Sequence, residues 1–312
     1  MTDRQMPAKV FKSYDEQVDL LISRGMTVHD REWAVDRLRS VNYYRLSGYW
    51  YPFRMLQSDS TRRSDRFFPD TDLRDVVALH DFDARLRAAA FTSLSHIELT
   101  IRARLGHELG QVDPLVHCRP ELLGPTARES GSHRPSQNYL TWRSKYDSEL
   151  RQSREDFVSH HKRHYRGQLP IWAAVEILDW GKLTRLFGMS PRQVRDAVAA
   201  EVELTGPQLE SWLRSLNILR NYSAHHGRLF NRVFALTPRL PRTGSSEITR
   251  LSPTMSRAFG QLSTVQYLLT TYRIGNPTML PAVMRTFPRI AVVPMSHTGA
   301  PDGWQRLPLW RH

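Results

Sequence analysis

Apolar residues recur along this chain at helical spacing, and the gaps between such runs mark where helices should stop. In Tyr14–Ser23, Val18, Leu20 and Leu21 gather near one face; in Asp30–Val41 the pattern repeats with Trp33, Val35, Leu38 and Val41. Two short helices therefore open the sequence. The aromatic run Asn42–Tyr51 suits either base stacking or a core corner between helices, and the corner is the simpler reading. Gln57–Arg66 is polar and basic and reads as an exposed loop. Between Asp72 and Gly110 there is no proline and no glycine before Gly106, which predicts one long helix or two abutting ones. Pro, Gly, Ser and His make Gln111–Gln137 a loop. Further helices are predicted at about 138–164, 170–188, 191–200, 207–228 and 253–273, with a Pro- and Gly-rich connection at Thr237–Ser246. From Asn276 onward prolines alternate with a short β-prone run, Ile290–Val293, and the chain closes on Trp304–Trp310.

The expected fold is all-α. We read residues 1–312 as a single domain: an N-terminal helical extension at 1–70, a helical core at 71–275 and an irregular C-terminal tail at 276–312. A hydrophobic content of 40% is ample for a packed core. Composition adds a partner to this picture: 44 Lys and Arg against 31 Asp and Glu leave a net charge of +13. Such an excess favours a polyanion through phosphate neutralisation and counterion release, with nucleic acid the first candidate and a generally basic solvated surface the bland alternative. The single cysteine, Cys118, excludes an internal disulfide and any zinc site built from two or more thiolates of one chain. The first residues lack an apolar signal region, and no run approaches the roughly 18 apolar residues of a membrane span, so a cytoplasmic protein without a membrane partner is expected.

Candidate chemistry concentrates in Leu219–Arg232, LRNYSAHHGRLFNR. At about 100° per residue, Asn221, His225, Arg228 and Arg232 fall within about 60° of one another if the helix continues past Gly227, with Arg220 on the flank. RNA cleavage by its own 2′-hydroxyl needs a proton acceptor and a cation beside the pentavalent phosphate, so His and Arg can suffice without a metal. A bare Arg-x-x-x-x-His pattern is weak: Arg102 to His107 is a second one in the same chain, read as structural. The longer context is more specific, and its bland alternative is a buried Arg and His that hold helices together. Asp156, His160 and His164 recur every four residues, as metal ligands on one helix face do, but a solvated face is the default reading and no metal or other cofactor is expected.

Several segments together resemble the Abi-like family of abortive-infection proteins, of the AbiD and AbiF types, within the HEPN proteins. They are Glu16–Met26 with Val41–Trp50, Asp81–Asp83 with Arg87, Glu98 and Arg102, Leu169–Trp172 with Glu176 and Trp180–Leu183, RNxxAH at 220–225, and Gly303–Trp304 with Pro308–Trp310. The resemblance implies a HEPN-type helical bundle and a metal-independent endoribonuclease of phage defence, with two motifs meeting in a homodimer. It implies catalytic roles for Arg220 (phosphorane charge), Asn221 (positioning) and His225 (general base or acid), and RNA products ending in 2′,3′-cyclic phosphate. A structured regulatory RNA is a further implied partner. His226, Arg228 and Arg232 are candidate RNA-binding residues, and Glu176 could orient Arg220 or His225 or make a structural ion pair. The alternative is a non-catalytic RNA-binding or phage-sensing module using the same cationic stripe.

Overall fold

Thirteen α-helices and one two-stranded hairpin form the regular structure among the described residues, 9–57, 62–241 and 247–311, of the computed structural model. The fold is mainly α, as the hydrophobic periodicity predicts. It divides into two compact units, one within Met1–Arg85 and Thr286–His297, the other within Leu86–Arg285 and Thr298–His312.

In the first unit, α1 (Tyr14–Ser23) starts at a capping box, with Ser13 and Glu16 bonding each other's backbone N–H, and Asp30 caps α2 (Arg31–Ser40). The aromatic run forms α3 (Tyr43–Trp50), which buries Leu46, Tyr49 and Trp50, so the run is a core corner. Tyr49 donates its phenol hydrogen to Asp83 at 2.7 Å, which satisfies both groups inside the core. The expected loop Gln57–Arg66 instead ends in strand and follows one: β1 (Arg54–Leu56), just before it, pairs antiparallel with β2 (Arg63–Phe67), with Arg54 opposite Phe67 and Leu56 opposite Arg63. Only Phe67 of β2 is buried, so the hairpin has almost no apolar alternation to announce it. Residues 58–61, part of that expected loop, lie outside the described residues.

α4 (Leu73–Val112) runs unbroken through the Pro-free stretch, the first of the two arrangements expected there, one long helix rather than two abutting ones. In the second unit follow α5 (Gln137–Gln152), α6 (Asp156–His164), α7 (Ile171–Ala174), α8 (Trp180–Met189), α9 (Arg192–Ala200), α10 (Gly206–Ala224), α11 (Glu247–Arg250), α12 (Ala258–Tyr272) and α13 (Met279–Met284). The run predicted at 138–164 breaks at Ser153–Glu155, and the one at 170–188 breaks before Asp179, whose carboxylate caps α8. Predicted helix starts and stops move most at 253, where a short 3₁₀ turn precedes α12, and at 228, where α10 has already ended.

α10 packs against α8, α9 and α12, and α5 against α8. Indole N–H groups tie these layers: Trp142 to the Lys182 carbonyl at 3.0 Å, Trp180 to Leu213 at 2.8 Å and Trp212 to Arg239 at 2.8 Å. α12 is buried from Ala258 through Leu269, and Gln261 within it is satisfied by the Met255 carbonyl and Ser215. The terminal tryptophans are core: Trp310 stacks on Phe259 with 4.6 Å between rings and donates to Ser263. Ile290–Val293 forms no strand. Gly106 lets α4 and α7 touch, since a Cβ there would sit 3.2 Å from the Trp172 Cα. Among the described residues no helix is long and apolar enough to cross a membrane.

Candidate active site

The inner face of α10 is a run of apolar residues, Leu209, Trp212, Leu213, Leu216 and Leu219, all buried. That burial anchors the last turn, where Arg220, Asn221 and His225 lie. His225 is the residue on which the helix ends, its backbone N–H reaching the Asn221 carbonyl at 2.9 Å. His226 then turns left-handed, with φ of 55°, and the Gly227 N–H closes back on the Tyr222 carbonyl at 2.7 Å. This is the reverse-bonded ending in which a left-handed residue stops a helix and satisfies its last carbonyls. Gly227 is required by space: a Cβ would fall 2.6 Å from the Tyr222 ring.

Because the helix stops there, the helical stripe expected to run from Asn221 through Arg228 to Arg232 ends at His225. Arg228 and Arg232 belong to the following turn, and both are half-buried. The Arg232 guanidinium lies 4.0 Å from the Tyr222 ring centre and its Nε donates to the Arg228 carbonyl. Asn221, His225 and His226 are exposed.

Arg220 faces the other way, toward α4. Its Nε is 4.0 Å from Glu98 Oε2, its guanidinium 5.7 Å from the Phe91 ring centre, and its side chain 29% exposed. The second oxygen of Glu98 accepts from Arg102 Nη2 at 2.6 Å, and the same Nη2 donates to the Leu178 carbonyl at 2.6 Å. One carboxylate, 12% exposed, thus serves two guanidinium groups. Arg102 also tethers α4 to the turn before Asp179, which fits a structural role for that arginine. Asp179 accepts the Lys182 backbone N–H and pairs with its ammonium, and Lys182 bridges on to Glu149 at 3.0 Å. Burial acts to raise the Asp179 carboxyl, but the Lys182 hydrogen bonds and the charges of Lys182 and Arg220 outweigh it and hold the group below the ordinary carboxylate range.

The buried Nε atoms of Arg220 and Arg102 and the buried Ser223 hydroxyl have no hydrogen-bond partner. His225 has none either: its ring is exposed and makes no ion pair or hydrogen bond with the described residues. The two members of the motif therefore differ. Arg220 is held against acidic groups, whereas His225 is presented outward, and on the helix they leave about 140° apart.

Glu176, expected as the orienting carboxylate or a structural ion-pair partner, is exposed and pairs with nothing among the described residues. The carboxylate that lies against Arg220 is instead Glu98. The four-residue spacing of Glu98 and Arg102 was visible in the sequence, but nothing local indicates that Arg220 joins them. No three His, Cys, Asp or Glu side chains among the described residues gather closely enough to hold a metal; His160 and His164 lie ring to ring, 4.7 Å apart, on α6.

No curated protein and no solved structure matches this chain significantly. The family described as Abi-like protein matches it over residues 36–231, from α2 to the turn after α10, and that span includes Glu98, Arg102, Asp179, Arg220, Asn221 and His225. The chain belongs to the Abi-like protein family, an assignment that suggests a role in abortive infection.

Proposed function

We propose that this protein is a HEPN-type, metal-independent endoribonuclease acting in abortive infection. The observation that carries the reading is the contrast at the end of α10: an exposed histidine with no protein partner on one side, and on the other an arginine facing the Glu98 carboxylate at 4.0 Å. A histidine that merely joined helices would be buried and hydrogen-bonded. In the proposed reaction His225 accepts the 2′-hydroxyl proton, and the 2′-oxygen attacks phosphorus. Arg220 offsets the charge on the equatorial phosphorane oxygens, and Asn221 bonds the substrate. The P–O5′ bond breaks, the 5′-oxygen takes a proton from an imidazolium, and the ends left are 2′,3′-cyclic phosphate and 5′-hydroxyl.

The divergence of Arg220 and His225 on one helix supports a site completed by a second copy, so the active form in this reading is a homodimer. His226 beside the base and the cations Arg228 and Arg232 in the next turn remain candidates for phosphate contact. Restraint by a structured RNA fits the +13 charge, and it and a cytoplasmic setting belong to the same proposal.

The test is incubation of purified protein with total and transfer RNA in EDTA, beside His225→Ala and Arg220→Ala, with analysis of the fragment ends. Cyclic-phosphate fragments are expected from the wild type, reduced by about 10²–10⁴-fold in His225→Ala, the range for removing a general acid or base. RNA binding without cleavage by the wild type would instead assign the chain to the RNA-binding modules.

A further inference from the structure

One to two turns before Asn221, α10 forms one wall of a cleft of about 520 Å³, whose other walls are α5 and α8. That size lies within the roughly 300–1,000 Å³ of small-ligand sites. Four cations line it, Lys145, Lys182, Arg185 and Arg214, against a single lining carboxylate, Asp179. Lys182 is compensated by Asp179 and Glu149, and Arg214 by Glu210. Lys145 and Arg185 are not: both are exposed and make no ion pair or hydrogen bond with the described residues. Two uncompensated cations across one cleft favour an anion, and the Asn217 side chain in its wall is likewise without a partner.

The cleft is continuous with the motif. Arg214, Asn217, Ile218, Asn221 and His225 fall within about 100° of one another on α10 and span about 16 Å from first to last. All five are exposed or half-buried, whereas the opposite face is core. A strand whose scissile phosphate sits at His225 would therefore run along this stripe into the cleft.

We infer that the cleft binds single-stranded RNA on one side of the cleavage point, with Lys145 and Arg185 on backbone phosphates and Asn217 bonding a sugar or base. The inference rests on the ribonuclease reading and adds where the substrate lies.

The experiment uses the full-length chain carrying His225→Ala, so that RNA stays intact, and a short fluorescein-labelled single-stranded RNA followed by anisotropy over a salt series. Adding Lys145→Glu and Arg185→Glu should weaken binding by at least about 10-fold and flatten the log–log salt slope by about 1.4, at about 0.7 per lost phosphate contact. Arg151→Glu with Arg163→Glu carries the same charge change on exposed residues outside the cleft and should leave binding nearly unchanged. In the cleaving protein the cleft pair should raise KM far more than it lowers kcat. Thermal melting checks folding, and Lys145→Gln with Arg185→Gln serves if the reversals melt early. Equal weakening by the two pairs, or displacement of RNA by polyglutamate at matched charge, would overturn the cleft while leaving cleavage and its His225 dependence standing. Failure of the wild type to bind or cut RNA at all would remove both readings.

Discussion

At Glu98 a single carboxylate lies against two guanidinium groups, and its removal leaves two cations facing each other in a nearly closed space. Glu98→Gln keeps the shape and can still accept from Arg102, but it loses the charge that holds Arg220. We expect a loss of stability of about 1–3 kcal/mol, typical of hydrogen bonds to charged groups, seen as a lower urea midpoint at unchanged slope. If Glu98 positions Arg220 for catalysis, cleavage should fall more than RNA binding; equal falls would reduce Glu98 to a structural residue. A second residue-level effect lies at His117, fully buried and bonded to the Tyr146 hydroxyl at 3.2 Å, with its other ring nitrogen unpartnered. Burial, with Arg143 nearby, lowers its pKa to about 4. The folded state thus resists a proton that the unfolded chain accepts near the ordinary imidazole value. Stability is complete above about pH 6.5 and declines toward pH 4, by about 3 kcal/mol at roughly 1.4 kcal/mol per pH unit. His117→Gln should flatten that decline, and an unchanged pH profile would rule His117 out as its source.

The ending of α10 decides which side chains form the site, and its chemistry is local. Replacing Gly227 by Ala puts a methyl group into the Tyr222 ring and should push the closing turn out of place, at a cost of about 1–3 kcal/mol as for overpacking. For a chain of this size that corresponds to a melting shift of several degrees, with a loss of cleavage because His225 rides on the same turn. An Ala variant with wild-type melting and cleavage would show that the turn is not under this constraint. Glycine 227 is legible in the sequence as a helix stop, yet the left-handed residue is His226, one position earlier. The longer helices were legible, because apolar stripes such as that of α10 are periodic, whereas the short α3, α11 and α13 (Met279–Met284, within the expected irregular tail) span too few turns to show a period. The breaks at Ser153–Glu155 and before Asp179 were not legible either: the first carries no proline or glycine, and at the second capping by a single Asp leaves the periodicity almost intact. The β1–β2 hairpin is not legible because its few apolar residues, Met55, Leu56 and Phe67, make no alternating pattern. At the site, Arg220, Asn221 and His225 stood out through their spacing, while the meeting of Arg220 with Glu98 and the exposure of His225 depend on contacts between distant segments.

Across the whole molecule, the question is whether one chain can bring an arginine and a histidine to one phosphate. Arg220 turns toward Glu98 and His225 turns outward, so a site built from one copy of the motif leaves the two groups on different sides of α10. A two-fold pair of chains could place the arginine of one copy beside the histidine of the other, and the symmetry would generate the second site automatically. Mixing separately inactive proteins discriminates the arrangements. His225→Ala and Arg220→Ala chains, combined and allowed to exchange subunits, form mixed dimers in which one of the two sites holds both native residues. Activity should return to about one quarter of the wild type at equal mixing, because half of the dimers are mixed and each carries one intact site. Solution mass measured on the same mixture must show dimers for the count to apply. Recovery near zero in a mixture of exchanged dimers would place Arg220 and His225 of a single chain at each phosphate, and α10 would then have to rearrange when RNA binds.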